Sequence, residues 1–133
     1  MLSPEDFSAY AFPYLNQITE ALAPICPVIL FPKGSWYALS QIAETKASAV
    51  GIDWTVSASY ARQQTNSKLT LQGNFDPTHL LTSPAQITQE VTKMIDAFGV
   101  QRFIANLGHG ILPHVPVDNA RAFVDAVKNY RQS

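Results

Sequence analysis

The run Arg102-Phe103-Ile104-Ala105-Asn106-Leu107-Gly108-His109-Gly110-Ile111-Leu112-Pro113 holds the side chain best suited to chemistry in this sequence. An apolar segment ends, and His109 follows between two glycines. Imidazole, with an unperturbed pKa of about 6.5, can act near neutrality as a cation or as a proton carrier. The flanking glycines, which lack Cβ, permit φ > 0 and a close approach of backbone to a ligand. A side chain delivered from the C-terminal end of a strand stands where α/β folds place their reactions. The same residues also describe a Gly-rich turn in which His109 merely donates to a nearby carbonyl.

Further polar residues follow other apolar runs: Asp53 and Trp54 after Ala49-Val50-Gly51-Ile52, and Asn74 and Asp76 after Leu69-Thr70-Leu71-Gln72. If those runs are parallel strands, the polar residues share one end of the sheet with His109. Turns favour Asn, Asp and Gly for local reasons as well, and Asp76 before Pro77 reads as a helix cap or turn residue. The histidines His79, His109 and His114 come without Cys-x-x-Cys, without a helical His-x-x-x-His and without a dense acidic cluster, so no metal set is visible. There is no Gly-x-Ser-x-Gly nucleophile, and the single cysteine, Cys26, sits between Pro24 and Pro27 in a connecting segment with a structural or incidental role. Gly108-His109-Gly110 lacks the third glycine and the opening helix of a dinucleotide fingerprint. Tyr10, Tyr14, Trp36, Trp54 and Tyr60 read as core or interface aromatics rather than as a stacking platform.

The elements that must position these residues are legible in outline. Ser3-Pro4-Glu5-Asp6 has an N-cap, a proline at the first helical position and two acids suited to the helix dipole. The helix runs toward Leu22, with Pro13 breaking or kinking it and Pro24 and Pro27 ending it. Val28-Ile29-Leu30-Phe31 is continuously apolar, as expected of a strand buried on both faces. Trp36, Leu39, Ile42 and Ala43 follow at helical spacing, and a short helix is expected from about Ser57 to Thr65.

Ser83-Pro84-Ala85-Gln86 is a capping box, and Ile87, Val91, Met94, Ile95 and Phe98 mark one face of the helix that it opens, closed by Gly99. Phe103 to Asn106 is the fourth strand. A last helix from near Pro116 carries Val117, Ala120, Phe123, Val124, Val127 and Tyr130 toward the core. Strands alternating with helices predict a parallel sheet with right-handed crossovers, after one leading helix.

Residues 1–133 form one domain, long enough to bury a core. Charged residues make up 14% of the chain, where about 25% is typical of a soluble domain. A surface so short of charge predicts a partner, and the net charge of −1 gives no footprint for nucleic acid. No apolar run approaches the about 18 residues of a membrane span, and the N-terminus has no secretory layout. A lone cysteine fits a reducing compartment, so a soluble, cytoplasmic location is expected.

Five segments together resemble the uroporphyrinogen decarboxylase family: Leu2-Ser3-Pro4-Glu5-Asp6-Phe7, Phe12-Pro13-Tyr14-Leu15, Gly51-Ile52-Asp53-Trp54-Thr55-Val56, Leu71-Gln72-Gly73-Asn74-Phe75-Asp76-Pro77 and Asn106-Leu107-Gly108-His109-Gly110-Ile111. Their order and spacing match the C-terminal part of the family's chain. The resemblance implies a (β/α)₈ TIM barrel, typically about 250 residues, of which the four strands here are the C-terminal half. It implies stepwise loss of CO₂ from the four acetates of uroporphyrinogen to give coproporphyrinogen, in haem biosynthesis, with no metal or organic cofactor.

Of the family's site residues, only the strand-end histidine has a counterpart, as His109, implied to bind substrate and serve catalysis. The family's arginines, pyrrole-binding aspartate, tyrosine and serine lie in the part not matched. Zinc-dependent methyl transfer, known among relatives of this superfamily, would need a His/Cys set not found in this sequence. The expected partners are the tetrapyrrole and either an N-terminal half-barrel or a second copy of this chain, because four strands leave two open edges. A non-catalytic truncated paralogue is the alternative.

Overall fold

A computed structural model describes residues 2–131. The leading helical segment begins with α1 (Pro4–Asp6), where the Ser3 hydroxyl accepts from the Asp6 N–H at 3.1 Å. It continues through a single π-helical stretch, Phe7–Ala11, into α2 (Phe12–Leu22). The Phe12 N–H reaches back to Phe7 O, so a widened turn absorbs Pro13, which has no N–H to offer the ladder. The helix is perturbed at the proline, as expected, yet it stays continuous.

Then follow β1 (Ile29–Leu30), a 3₁₀ turn (Trp36–Ala38), α3 (Leu39–Ile42), β2 (Ala49–Gly51) and α4 (Ala58–Gln64). The second half comprises β3 (Thr70–Phe75), a 3₁₀ turn (Pro77–Leu81), α5 (Pro84–Phe98), β4 (Phe103–Leu107) and α6 (Val117–Asn129). β3 extends through Asn74 to Phe75, so Asn74 is a residue of the strand rather than one that follows it.

The four strands form one sheet in the order β1-β2-β3-β4, every pair parallel. This is the arrangement of half a (β/α)₈ barrel. Register places Leu30, Val50, Leu71 and Phe103 side by side. The first three are buried against the helices, together with the α5 residues Ile87, Val91, Ile95 and Phe98. Phe98 stacks on Phe103 at 4.6 Å between ring centres, and Phe75 meets Phe123 edge-on at 5.2 Å.

The other face of the sheet is uncovered. Ile29, Phe31 and Ile104 are 47%, 46% and 41% exposed, so β1 is not the doubly buried strand its composition suggests. Helices cover one side only, and this open side corresponds to the lumen of a closed barrel. In α6, Phe123, Val127 and Tyr130 pack on the core as expected, but Val117 and Val124 are exposed. Tyr10, Tyr14, Trp36 and Trp54 likewise lie at the surface rather than in the core.

Candidate functional site at the strand ends

Parallel pairing brings the C-terminal ends of all four strands to one rim, and the residues that follow them are tied together there. The Asp53 carboxylate, 6% exposed, accepts from Gly34 N of the β1 loop and from Thr55 N, each at 2.9 Å, and from the Thr55 hydroxyl. Burial acts to raise its pKa. The hydrogen bonds from Thr55 and Gly34, helped by the charge of Lys33, outweigh burial and hold the carboxyl below the usual aspartate value. Asp53 is therefore an anionic anchor rather than a proton donor.

Asn74 donates from Nδ2 to Asp53 O at 3.2 Å and to Val56 O at 2.7 Å, clamping the turn that carries Trp54. Asp76 caps the turn that follows β3 by accepting from Thr78 N at 2.8 Å, as its place before Pro77 predicts.

His109 stands exposed on this rim, its ring 6.4 Å from that of Trp54 and nearly perpendicular to it. The flanking glycines act differently from expectation, since neither has positive φ. Gly108 is required by close packing on protein: a Cβ there would lie 2.8 Å from Trp54 N. Gly110 borders open space. The close approach is to the neighbouring turn, and it seats β4 against the loop that presents Trp54.

His109 lines a concavity of about 410 Å³ that opens on the uncovered face, with Phe31, Gln72, Asn106 and Ile111 among its walls. Gly51 forms part of its floor, where a Cβ would sit 2.7 Å from the Phe31 ring. Phe31 and Ile111 supply apolar walls; His109, Gln72 and Asn106 supply polar groups. Gln72 and Asn106 escaped the sequence reading because only strand register shows which face they occupy; the signal was the alternation within Thr70–Phe75 and Phe103–Leu107.

A hollow of about 520 Å³ at the opposite end of the sheet is a structural buttress. There Arg62 Nη2 donates to the carbonyls of Phe98, Gln101 and Arg102 at 3.0, 2.9 and 3.2 Å, and Arg102 Nη1 to those of Ser67 and Lys68 at 2.7 and 3.1 Å. His79, on the turn after β3, contacts Phe75 edge-on at 5.8 Å, while His114 and Cys26 are exposed. Among the described residues no three His, Cys, Asp or Glu side chains converge as a metal site would require. No helix of the described residues is long and apolar enough to cross a membrane.

Fold and rim define a portion of a parallel β/α barrel whose candidate site is built from strand-end loops. The chain belongs to the uroporphyrinogen decarboxylase (URO-D) family, whose sequence model matches residues 1–130. It is 53% identical over 132 residues to the uroporphyrinogen decarboxylase of Flavobacterium johnsoniae, covering 99% of this chain and 39% of that protein. The Homo sapiens uroporphyrinogen decarboxylase is 40% identical over 138 residues, covering 97% of this chain and 37% of its own length. A methyltransferase from Methanosarcina mazei shares the fold at a TM-score of 0.82 and 20% identity, over 96% of this chain and 38% of that one. The chain thus spans about two fifths of the length of these relatives.

Proposed function

We propose that this chain forms the C-terminal wall of a cytoplasmic uroporphyrinogen decarboxylase, a carboxy-lyase of haem and porphyrin biosynthesis. The substrate is uroporphyrinogen III, whose four acetate side chains become methyl groups in coproporphyrinogen III. The reading rests on the 53% identity across 99% of the chain, coupled with an exposed His109 lining a concavity of mixed apolar and polar walls.

Each turnover breaks the bond between the acetate methylene and its carboxylate, releasing CO₂. A protonated pyrrole ring takes up the electron pair, a proton delivered to the methylene carbon completes the methyl group, and loss of the ring proton restores the aromatic pyrrole, for a net uptake of one proton. The substrate supplies its own electron sink, so no cofactor is required. The protein must orient the macrocycle, neutralise its carboxylates and pass protons. As an imidazolium, His109 can pair with a substrate carboxylate; proton exchange is its second role.

The open face and the free edges of β1 and β4 require a partner, an N-terminal half-barrel or a second copy, and the chain alone is expected to be inactive. A decarboxylase assay on the purified chain, alone and mixed with the N-terminal portion of the Flavobacterium johnsoniae relative, tests this. Turnover confined to the mixture, and lost with His109→Ala, supports the proposal. A folded mixture without turnover supports a truncated paralogue that associates without catalysis.

A further inference from the structure

Two side-chain amides on the uncovered face stand beside His109. Gln72 lies in register with Ile104, and two residues further along the strands Asn74 lies in register with Asn106. The lumen face therefore carries Gln72 at one level and Asn106 at the next, with His109 above them on the rim. Both amides line the same concavity as His109.

The exposed Asn106 amide uses only Oδ1 within the protein, accepting from Leu107 N at 2.8 Å, which leaves its Nδ2 donors without a partner among the described residues. Among the described residues no fully buried side-chain polar atom lacks a partner, and the Gln72 amide hydrogen-bonds no other described residue, so it too meets solvent in the hollow. Asn74, two residues beyond Gln72 and in register with Asn106, shows the contrast: its Nδ2 is spent on Asp53 O and Val56 O. Of the three amides one donates within the protein, and the donors of the other two have no partner among the described residues.

We infer that Gln72 and Asn106 are ligand-binding residues, donating hydrogen bonds to carboxylate oxygens of a polycarboxylate with an apolar body. The chemistry of the hollow selects that class. Phe31 and Ile111 offer apolar contact, and three convergent polar groups can donate where a carboxylate accepts. Neutral amides hold an anion without titrating, so their contribution is uniform across neutral pH and complements the imidazole. This assignment rests on the decarboxylase reading above and deepens it.

The test introduces Gln72→Leu, Asn106→Leu and Gln72→Glu into the chain, mixed with the N-terminal portion of the Flavobacterium johnsoniae relative. Each leucine variant is expected to raise KM about tenfold, the worth of one hydrogen bond to a charged acceptor, with kcat changed less than about twofold. Gln72→Glu keeps the shape but repels a carboxylate, so it raises KM further. Unchanged KM in all three, alongside lost turnover in His109→Ala, overturns the amide assignment and leaves the decarboxylase reading standing. If the unsubstituted mixture has no turnover, side-chain amide NMR signals of the chain titrated with coproporphyrin decide. Shifts at Gln72 and Asn106 uphold the assignment, and unmoved signals overturn it.

Discussion

Asp53 shows how one side chain can organise a rim through hydrogen bonds within the protein. Its carboxylate joins the β1 loop to the β2 turn through Gly34 and Thr55, and its lowered pKa means that the folded state favours the ionised form. The stabilisation is therefore present above the unfolded aspartate value, about 3.9, and disappears as pH falls through the lower folded value. Asp53→Ala should cost about 1.5–3 kcal/mol at pH 7, as loss of hydrogen bonds to a charged acceptor does. Asp53→Asn should flatten the acid limb of the stability curve, measured by denaturant melts between about pH 2 and pH 6.

Gly108→Ala must push a methyl group onto Trp54 N and should destabilise by about 1–3 kcal/mol while changing Trp54 fluorescence. His109→Ala, at an exposed position, should leave the unfolding free energy within about 0.5 kcal/mol of the parent in denaturant melts. At this scale the position of His109, exposed just past the end of β4, was legible in the sequence, because an apolar run stops at Gly-His-Gly. The reason for Gly108 was not legible, since the atom that a Cβ there would strike belongs to Trp54, more than fifty residues away.

Among the elements, α5 was legible in full. Ile87, Val91, Met94, Ile95 and Phe98 are all buried, because a helix with one neighbouring layer writes its core face directly into its spacing. β1 was misread for the converse reason: a run of apolar residues looks the same whether its second face meets protein or awaits it. Val117 and Val124 carry the same ambiguity on α6.

Gly73 illustrates a constraint set between strands. Its φ is +140° and an added Cβ would lie 2.3 Å from Ile52 O, in the backbone of the adjacent chain segment. Gly73→Ala should destabilise by more than about 1 kcal/mol, enough to lower the thermal midpoint by several degrees. Arg62, bound to three carbonyls where α5 gives way to β4, is a second such tie. Arg62→Leu should loosen that corner, read as faster proteolysis near Gly99.

For the whole molecule the decisive fact is that helices cover a single face of the sheet. Exposed Ile29, Phe31 and Ile104 make the lumen side adhesive, and the low proportion of charge does little to oppose contact. The isolated chain should therefore self-associate at micromolar concentrations, with Ile104→Lys shifting it toward monomer in light scattering. High salt should strengthen rather than weaken that association, because apolar contact drives it.

The unequal lengths of the outer strands carry one more consequence. The first contributes two residues to the ladder and the fourth five, so a completed cylinder would have one short hem and one long one. Deuterium should enter the amides of Ile29 and Leu30 well before those of Ile104 to Leu107. Breathing then belongs to the flank beneath Phe31, while the flank beneath the imidazole stays firm.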